Sequence, residues 1–216
     1  MKSVLVTGGT VRLGRAIAAR LRAEGWCVIT SSHRADAGAD IVADLAEPMG
    51  AAKLYAATLQ MLGGMPPDAL VNNAALFTGD AAAIAAVNLE APKKLTMLMA
   101  GRETGVGAIV NILDTKALDV YRHLSTPIDA YLASKRELAA FTRSAAATFA
   151  ATLRVNGVAP GPVMAPTDVH EQAGEMLLDR RPTADDVAAA VSYLLSAEAT
   201  TGTIIPVDAG QHLLEA

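Results

Sequence analysis

Tyr131 and Lys135 are the first pair in this sequence with the types and spacing to move a proton. On a helix, four residues is about one turn, so both side chains share a face. A free phenol titrates near pKa ~10. A neighbouring ammonium favours the phenolate and draws the group toward working range. Such a tyrosine can give a proton to a nascent alkoxide or amine, or take one back. The plain alternative is a half-buried tyrosine beside a surface lysine.

A second stretch has the makings of an anion seat. Val4-Leu5-Val6-Thr7 is a β-branched run that breaks into Gly8-Gly9-Thr10-Val11-Arg12-Leu13-Gly14-Arg15. Glycine lets such a strand-to-helix turn come close to a ligand, because it has no Cβ and tolerates positive φ. The helix that follows opens with unpaired N–H groups and the positive end of its dipole. Together these suit a pyrophosphate. The spacing, Thr-Gly-x-x-x-Arg-x-Gly, is not the G-x-G-x-x-G fingerprint.

The next strand runs into Ser31-Ser32-His33-Arg34, with no acidic residue among them. A carboxylate there would accept the ribose 2′-hydroxyl of NAD. Hydroxyls and an arginine suit a 2′-phosphate, which points to NADP(H). The alternative for Arg34 is a solvated loop charge.

These residues need a scaffold, and composition bounds it. The chain has 216 residues, the length of one large α/β domain, so a single domain over 1–216 is expected. A hydrophobic share of 52% and a charged share of 19% exclude disorder. A net charge of −4 argues against a nucleic-acid surface. No apolar run reaches membrane-spanning length and no signal peptide opens the chain, so a cytoplasmic protein is expected. The single cysteine, Cys27, reads as a small core residue. No metal site is assigned.

Along the chain, strands alternate with helices. Leu13, Ile17 and Leu21 mark one apolar helical face, ended by Gly25. Strands follow at 26–30, 41–43, 69–71, 108–112, 153–156 and 203–207. Helices are expected at 49–62, as one long element at 81–100, at 131–148, and from an N-cap at Thr183 to about Leu195. Residues 114–129 read as irregular, and Pro160-Gly161-Pro162 as a loop. This order predicts a doubly wound Rossmann-type sheet of seven mainly parallel strands with helices on both faces. Ligands to such sheets sit at the carboxyl ends of the strands.

Taken together, the motifs resemble those of the short-chain dehydrogenases/reductases. Tyr131-Leu132-Ala133-Ser134-Lys135 is similar to that family's Tyr-x-x-Ser-Lys site, and Asn72-Asn73-Ala74 to its Asn-Asn-Ala turn. Asn88 matches the helix asparagine of its proton relay. Arg154 to Gly161 resembles the strand and turn bordering the nicotinamide. Thr201-Gly202 through Gly210 resembles the closing strand, with Ala209 for the first of a glycine pair. The opening turn, with Arg12 at the middle glycine, is similar to that of pteridine reductases.

The resemblance implies an NADPH-dependent oxidoreductase that passes hydride to a C=N or C=O carbon, a pterin-like ring being favoured. A carbonyl reductase of the same family and a non-catalytic dinucleotide sensor are the alternatives. It implies catalytic roles for Asn88, Asp114, Tyr131 and Lys135. Cofactor contacts are implied for Gly8, Thr10, Arg12, Leu13, Gly14, Ser32, His33, Arg34, Asp44, Leu45, Asn73, Ala74, Lys135, Pro160, Gly161 and Val163. Arg12, Phe77, Asp114 and Tyr131 would meet the substrate, with Phe77 stacking on the pterin.

Asp114 stands where the wider family has a serine. The segment from Asp114 to Tyr131 is longer than usual, which leaves Thr115 or Ser125 as substitutes. Asp44 is implied to contact adenine, with helix capping as the alternative. The lid, 162–182, is short; Ala165 replaces a threonine, and His170 reads as a loop residue. The family implies a homotetramer or homodimer through the helix before Asp114 and the helix of Tyr131, where Ala139, Ala140, Ala145, Ala146 and Ala147 permit close approach. No nucleic acid or membrane partner is expected.

Overall fold

The architecture follows from alternation along short, buried strands. In β1 (Ser3–Thr7) all five residues are buried. Val4 and Val6 point to one face of the sheet and Leu5 to the other, as the two-residue strand period requires. The remaining strands are β2 (Cys27–Ser32), β3 (Ile41–Val42), β4 (Ala69–Asn72), β5 (Gly107–Ile112), β6 (Leu153–Pro160) and β7 (Ile204–Val207). They form one seven-stranded sheet in the order β3-β2-β1-β4-β5-β6-β7. Every pairing in it is parallel. The computed structural model describes residues 1–103, 105–118, 129–163 and 175–214.

Helices cover both faces. On one face Val4, Val6, Val71, Val110 and Val158 pack with Ile17 and Leu21 of α1 (Arg12–Ala23) and Val191 and Leu194 of α6 (Ala184–Ser196). On the other, Leu5, Leu70, Ile109 and Val155 pack with Leu54 of α2 (Gly50–Met61) and Leu95 of α4 (Ala91–Ala100). Ala145 and Ala146 of α5 (Ala130–Thr148) join the same cluster. Strand order reverses direction between β1 and β4, and the glycine turn and the Asn72-Asn73-Ala74 turn leave the sheet there. A crevice at that point is where open α/β sheets take ligands.

Several expectations need correction. The long helix over 81–100 is three pieces: α3 (Ala81–Ala85), a π-turn (Ala86–Glu90) and α4. Pro92 explains the break. It has no N–H for the Asn88 carbonyl one turn back, and its ring crowds that carbonyl. Widening to the i→i+5 pattern relieves the crowding. The sixth strand runs on through Pro160, which the sequence reads as loop. Cys27 is exposed, because it opens β2 at the amino edge of the sheet. Asp44 does not cap α2, whose N-cap is Met49. Its Oδ1 accepts the Ala46 N–H at 2.8 Å in a local turn. The irregular reading of 114–129 holds a short 3₁₀ turn, Thr115–Ala117, and residues 119–128 lie outside the described part.

Ends of helices behave as the sequence suggests. Thr183 and Asp186 form a reciprocal capping box at α6. Arg180 forks onto the same Asp186, and the combined bonds hold its carboxyl well below the usual carboxylate range. Gly25, with φ of 86°, follows α1 in the left-handed conformation that a helix exit favours.

Candidate active site

The floor of the crevice is the turn after β1. Gly8 has φ of 61°, a conformation that costs little only for glycine. Asn73 clamps this turn: its Nδ2 donates to the carbonyls of Thr7 and Gly8 at 2.9 and 3.1 Å. Thr7 Oγ1 in turn accepts the N–H groups of Asn73 and Ala74, both at 3.0 Å. A Cβ on Gly14 would lie 2.1 Å from the Gly8 carbonyl oxygen, so only glycine lets α1 sit this close to the turn. Gly9 donates its N–H to the Ser31 carbonyl, which ties the turn to the end of β2.

Helix α1 opens on Val11 with no side-chain cap and no acidic residue in its first turn. Its first N–H groups therefore remain available to an anion, reinforced by the helix dipole. Arg12 occupies the first helical position with φ of 46°, a left-handed conformation that favours glycine. This cradle fits a dinucleotide pyrophosphate. Thr10 in the turn and Leu13 at the start of α1 are partly buried, and Ala74 meets Gly8 from the turn after β4. On the far wall, Pro160 ends β6, and Gly161 and Val163 follow it. Gly161 N–H binds the Val207 carbonyl, and a Cβ there would lie 2.5 Å from that of Asp208. Leu45 is buried in the core among Ile41 and Leu54, so its side chain turns away from the crevice.

The end of β2 holds a surprise for the reading of Ser31 to Arg34 as free of acid. The carboxylate comes from two residues further on. Arg34 Nε and Nη2 fork onto Asp36 at 3.0 and 2.7 Å. Ser32 Oγ accepts the Arg34 N–H at 3.1 Å, and His33 is exposed beside it.

The candidate reacting groups gather at the carboxyl end of β5. Tyr131 Oη donates to Asp114 Oδ2 at 3.0 Å. The longer segment between them has therefore not displaced Asp114. Thr115 is buried and turned to the Pro160 carbonyl, while Ser125 lies outside the described residues, as do Met164, Ala165 and His170. Phe77 stacks on the Tyr131 ring, with centroids 4.5 Å apart and planes inclined by 20°. Lys135 Nζ lies 5.8 Å from the centre of that ring.

Lys135 is 2% exposed and donates to the Ile112 carbonyl at 2.8 Å. Burial pushes its ammonium down to about 8, against a smaller opposing pull from Asp114. Ser134 ties the helix to the π-turn: its hydroxyl accepts from Asn88 Nδ2 at 3.1 Å and donates to the Tyr131 carbonyl at 2.6 Å. Asn88 also pairs with both backbone groups of Leu76, at 2.8 and 2.9 Å. This fixes the segment that carries Phe77.

Behind the site runs a buried polar chain that sequence reasoning missed. Asn72 Nδ2 donates to Asn111 Oδ1 at 2.8 Å, and Asn111 Nδ2 to Thr142 Oγ1 at 2.9 Å. It joins β4, β5 and α5. A polar residue at a core-facing position of a strand is the signal that could have found it. A pocket of about 530 Å³ opens at the opposite, amino end of the sheet beside Ser3 and Cys27, away from these groups.

Comparison with known proteins fits this geometry. Residues 12–212 match the family model described as enoyl-(acyl carrier protein) reductase. The chain is 30% identical to granaticin polyketide synthase putative ketoacyl reductase 2 of Streptomyces violaceoruber, over 97% of this chain and 96% of that protein. It is also 30% identical to pteridine reductase 1 of Leishmania tarentolae, over 98% and 96%. The crystal structure of FolM alternative dihydrofolate reductase 1 from Brucella canis, complexed with NADP, superposes with a TM-score of 0.84 at 32% identity. That match covers 98% of this chain and 94% of the other. With its sheet order, its glycine turn and its tyrosine–lysine helix, the chain belongs to the short-chain dehydrogenase/reductase family.

Proposed function

We propose that this oxidoreductase is an NADPH-dependent reductase of a pterin-like ring, acting on a C=N or C=O bond. The observation that carries the reading is the grouping of Asp114, Tyr131 and Phe77: a carboxylate 3.0 Å from the phenol and an aromatic ring stacked beside it. A ketone is served by neutral hydroxyl donors. A pterin edge offers ring nitrogens and an exocyclic amine, for which a carboxylate is the matching acceptor. A flat heteroaromatic ring gains from offset stacking on Phe77. The likeness to pteridine reductase and to the NADP complex of the Brucella enzyme supports both substrate class and cofactor.

In this reading the turn from Gly8 through Gly14, with Thr10, Arg12 and Leu13, seats the pyrophosphate. Ser32, His33 and Arg34 receive the 2′-phosphate. Asp44 borders the adenine, where Leu45 can contribute only its backbone, and Asn73, Ala74, Pro160, Gly161 and Val163 wall the nicotinamide end. NADPH supplies the hydride when bound. Tyr131 Oη delivers the proton to the reduced atom. Lys135 stays charged below about pH 8 and electrostatically supports the phenolate left behind. Asp114 orients the substrate through its donors. Asn88 links the substrate-side loop to α5 through Ser134 and Leu76. Residues 1–216 act as one domain, and the protein works in the cytoplasm as a homodimer or homotetramer built through α4 and α5.

The test is consumption of NADPH with a dihydropterin, followed by the absorbance of the reduced nicotinamide, beside a ketone panel. Turnover of the dihydropterin that is lost in Tyr131→Phe supports the reading. Turnover confined to ketones overturns the pterin assignment, and tight NADPH binding with no turnover overturns the enzyme.

A further inference from the structure

The fork between Arg34 and Asp36 occupies the guanidinium assigned to the cofactor's 2′-phosphate. We infer that Asp36 is a specificity-determining residue: its carboxylate competes with the 2′-phosphate for Arg34 and weakens the preference for NADPH over NADH. The inference rests on the cofactor reading above.

Geometry carries the argument. Both nitrogens of the fork that face Asp36 are engaged, Nε at 3.0 Å and Nη2 at 2.7 Å. That is the bidentate arrangement a phosphate would also demand of an arginine. Asp36 sits in the 3₁₀ turn Ala35–Ala37, directly after Arg34, so the carboxylate is held at short range by the backbone. Both side chains are well exposed, 63% for Arg34 and 69% for Asp36, so the fork can open into the crevice without unpacking the core. Each holds the other in its charged form: Arg34 pulls the Asp36 carboxyl below its ordinary value, and Asp36 raises the guanidinium.

The other acid near β2 has a different fate. Asp40 is turned to Thr30, accepting its N–H at 2.8 Å and its hydroxyl at 2.7 Å, with Arg22 3.9 Å away. Asp36 alone of the two bears on the Arg34 guanidinium. A 2′-phosphate brings about two negative charges against the carboxylate's one, so it displaces Asp36, but at a cost. An exposed ion pair is weak, which sets that cost at about two- to fivefold in affinity. NADH has no 2′-phosphate and does not incur it.

The experiment compares NADPH and NADH binding by fluorescence titration in wild type, Asp36→Asn and Asp36→Ser, with 2′,5′-ADP as a probe of the phosphate pocket alone. Removing the carboxylate is expected to tighten NADPH and 2′,5′-ADP about two- to fivefold while NADH does not tighten. The gain is expected to shrink at high salt, as screening weakens an exposed pair. A ratio of NADH to NADPH dissociation constants that is unmoved or lowered in both folded variants overturns the inference. A wild-type chain that binds neither NADPH nor 2′,5′-ADP overturns the cofactor reading instead.

Discussion

The side chain of Tyr131 has two charged neighbours. Asp114 accepts a hydrogen bond from its hydroxyl at 3.0 Å, and the ammonium of Lys135 lies 5.8 Å from the centre of its ring. Replacing Tyr131 by Phe removes the proton donor and leaves Asp114 without that bond. Turnover is expected to fall by about a hundredfold or more, the range of a lost general acid, with NADPH affinity within twofold of wild type. Lys135 gives a pH signature. Its folded value is held at about 8, below the ordinary 10.5 of lysine. Between these values the unfolded chain binds more protons, so stability rises with pH across that window and the penalty is fully present below about pH 8. The total is roughly 3 kcal/mol at most. Urea midpoints at pH 7 and pH 10 should show this rise in wild type and lose it in Lys135→Met. Reduction should slow above about pH 8 as the ammonium discharges. At this scale the sequence discloses Tyr131 and Lys135, because helical spacing alone sets them on one face. It does not disclose that Asp114 reaches Tyr131, since the two stand seventeen positions apart with no periodicity to relate them. Nor does it reveal Asp36, because the strand-end reading stops at Arg34.

At the scale of elements, two substitutions keep glycine's backbone without glycine. Arg12 has φ of 46° and Ala209 φ of 57°. The left-handed region costs a residue with a Cβ roughly 1–2 kcal/mol. For Arg12 that strain falls on the first residue of α1, in the turn proposed to seat the pyrophosphate. For Ala209 no contact of its methyl explains it, although its carbonyl accepts the N–H groups of Leu177 and Leu178 at 3.1 Å and so anchors the end of the lid segment. Ala209→Gly is therefore expected to stabilise the fold by about 1 kcal/mol and raise Tm by about 2–4 °C, measured by thermal unfolding. A lowered Tm would show that the methyl contributes packing. The same scale explains a misreading. Alanine-rich periodicity over 81–100 predicts one helix, and the pattern is silent about the π-turn because apolar spacing barely changes across it. Pro92 was the visible cue. The capping box of Thr183 and Asp186, by contrast, is local chemistry and is legible at once.

Across the whole molecule, alternation in β1 and the helix faces disclose a sheet covered on both sides, and both cores follow it. What alternation cannot separate is a small residue packed on the sheet from one held ready for a partner. The alanines of α5 divide accordingly. Ala139, Ala145 and Ala146 are 3%, 2% and 4% exposed, so they pack inward and offer nothing to another subunit. Ala140 and Ala147 are exposed, two turns apart on one stripe, and Met97 of α4 is 54% exposed. The proposed assembly through α4 and α5 must therefore use this narrower stripe. Small side chains there let helices approach closely, and a long cation at its centre would be forced into the seam. Ala140→Arg is an exposed change that should leave monomer stability within about 0.5 kcal/mol. In light scattering after gel filtration it is expected to reduce the mass of the assembly at least twofold, while the far-ultraviolet circular dichroism is retained. An unchanged mass would place the subunit contact on another face, and a monomeric wild type would remove the assembly altogether.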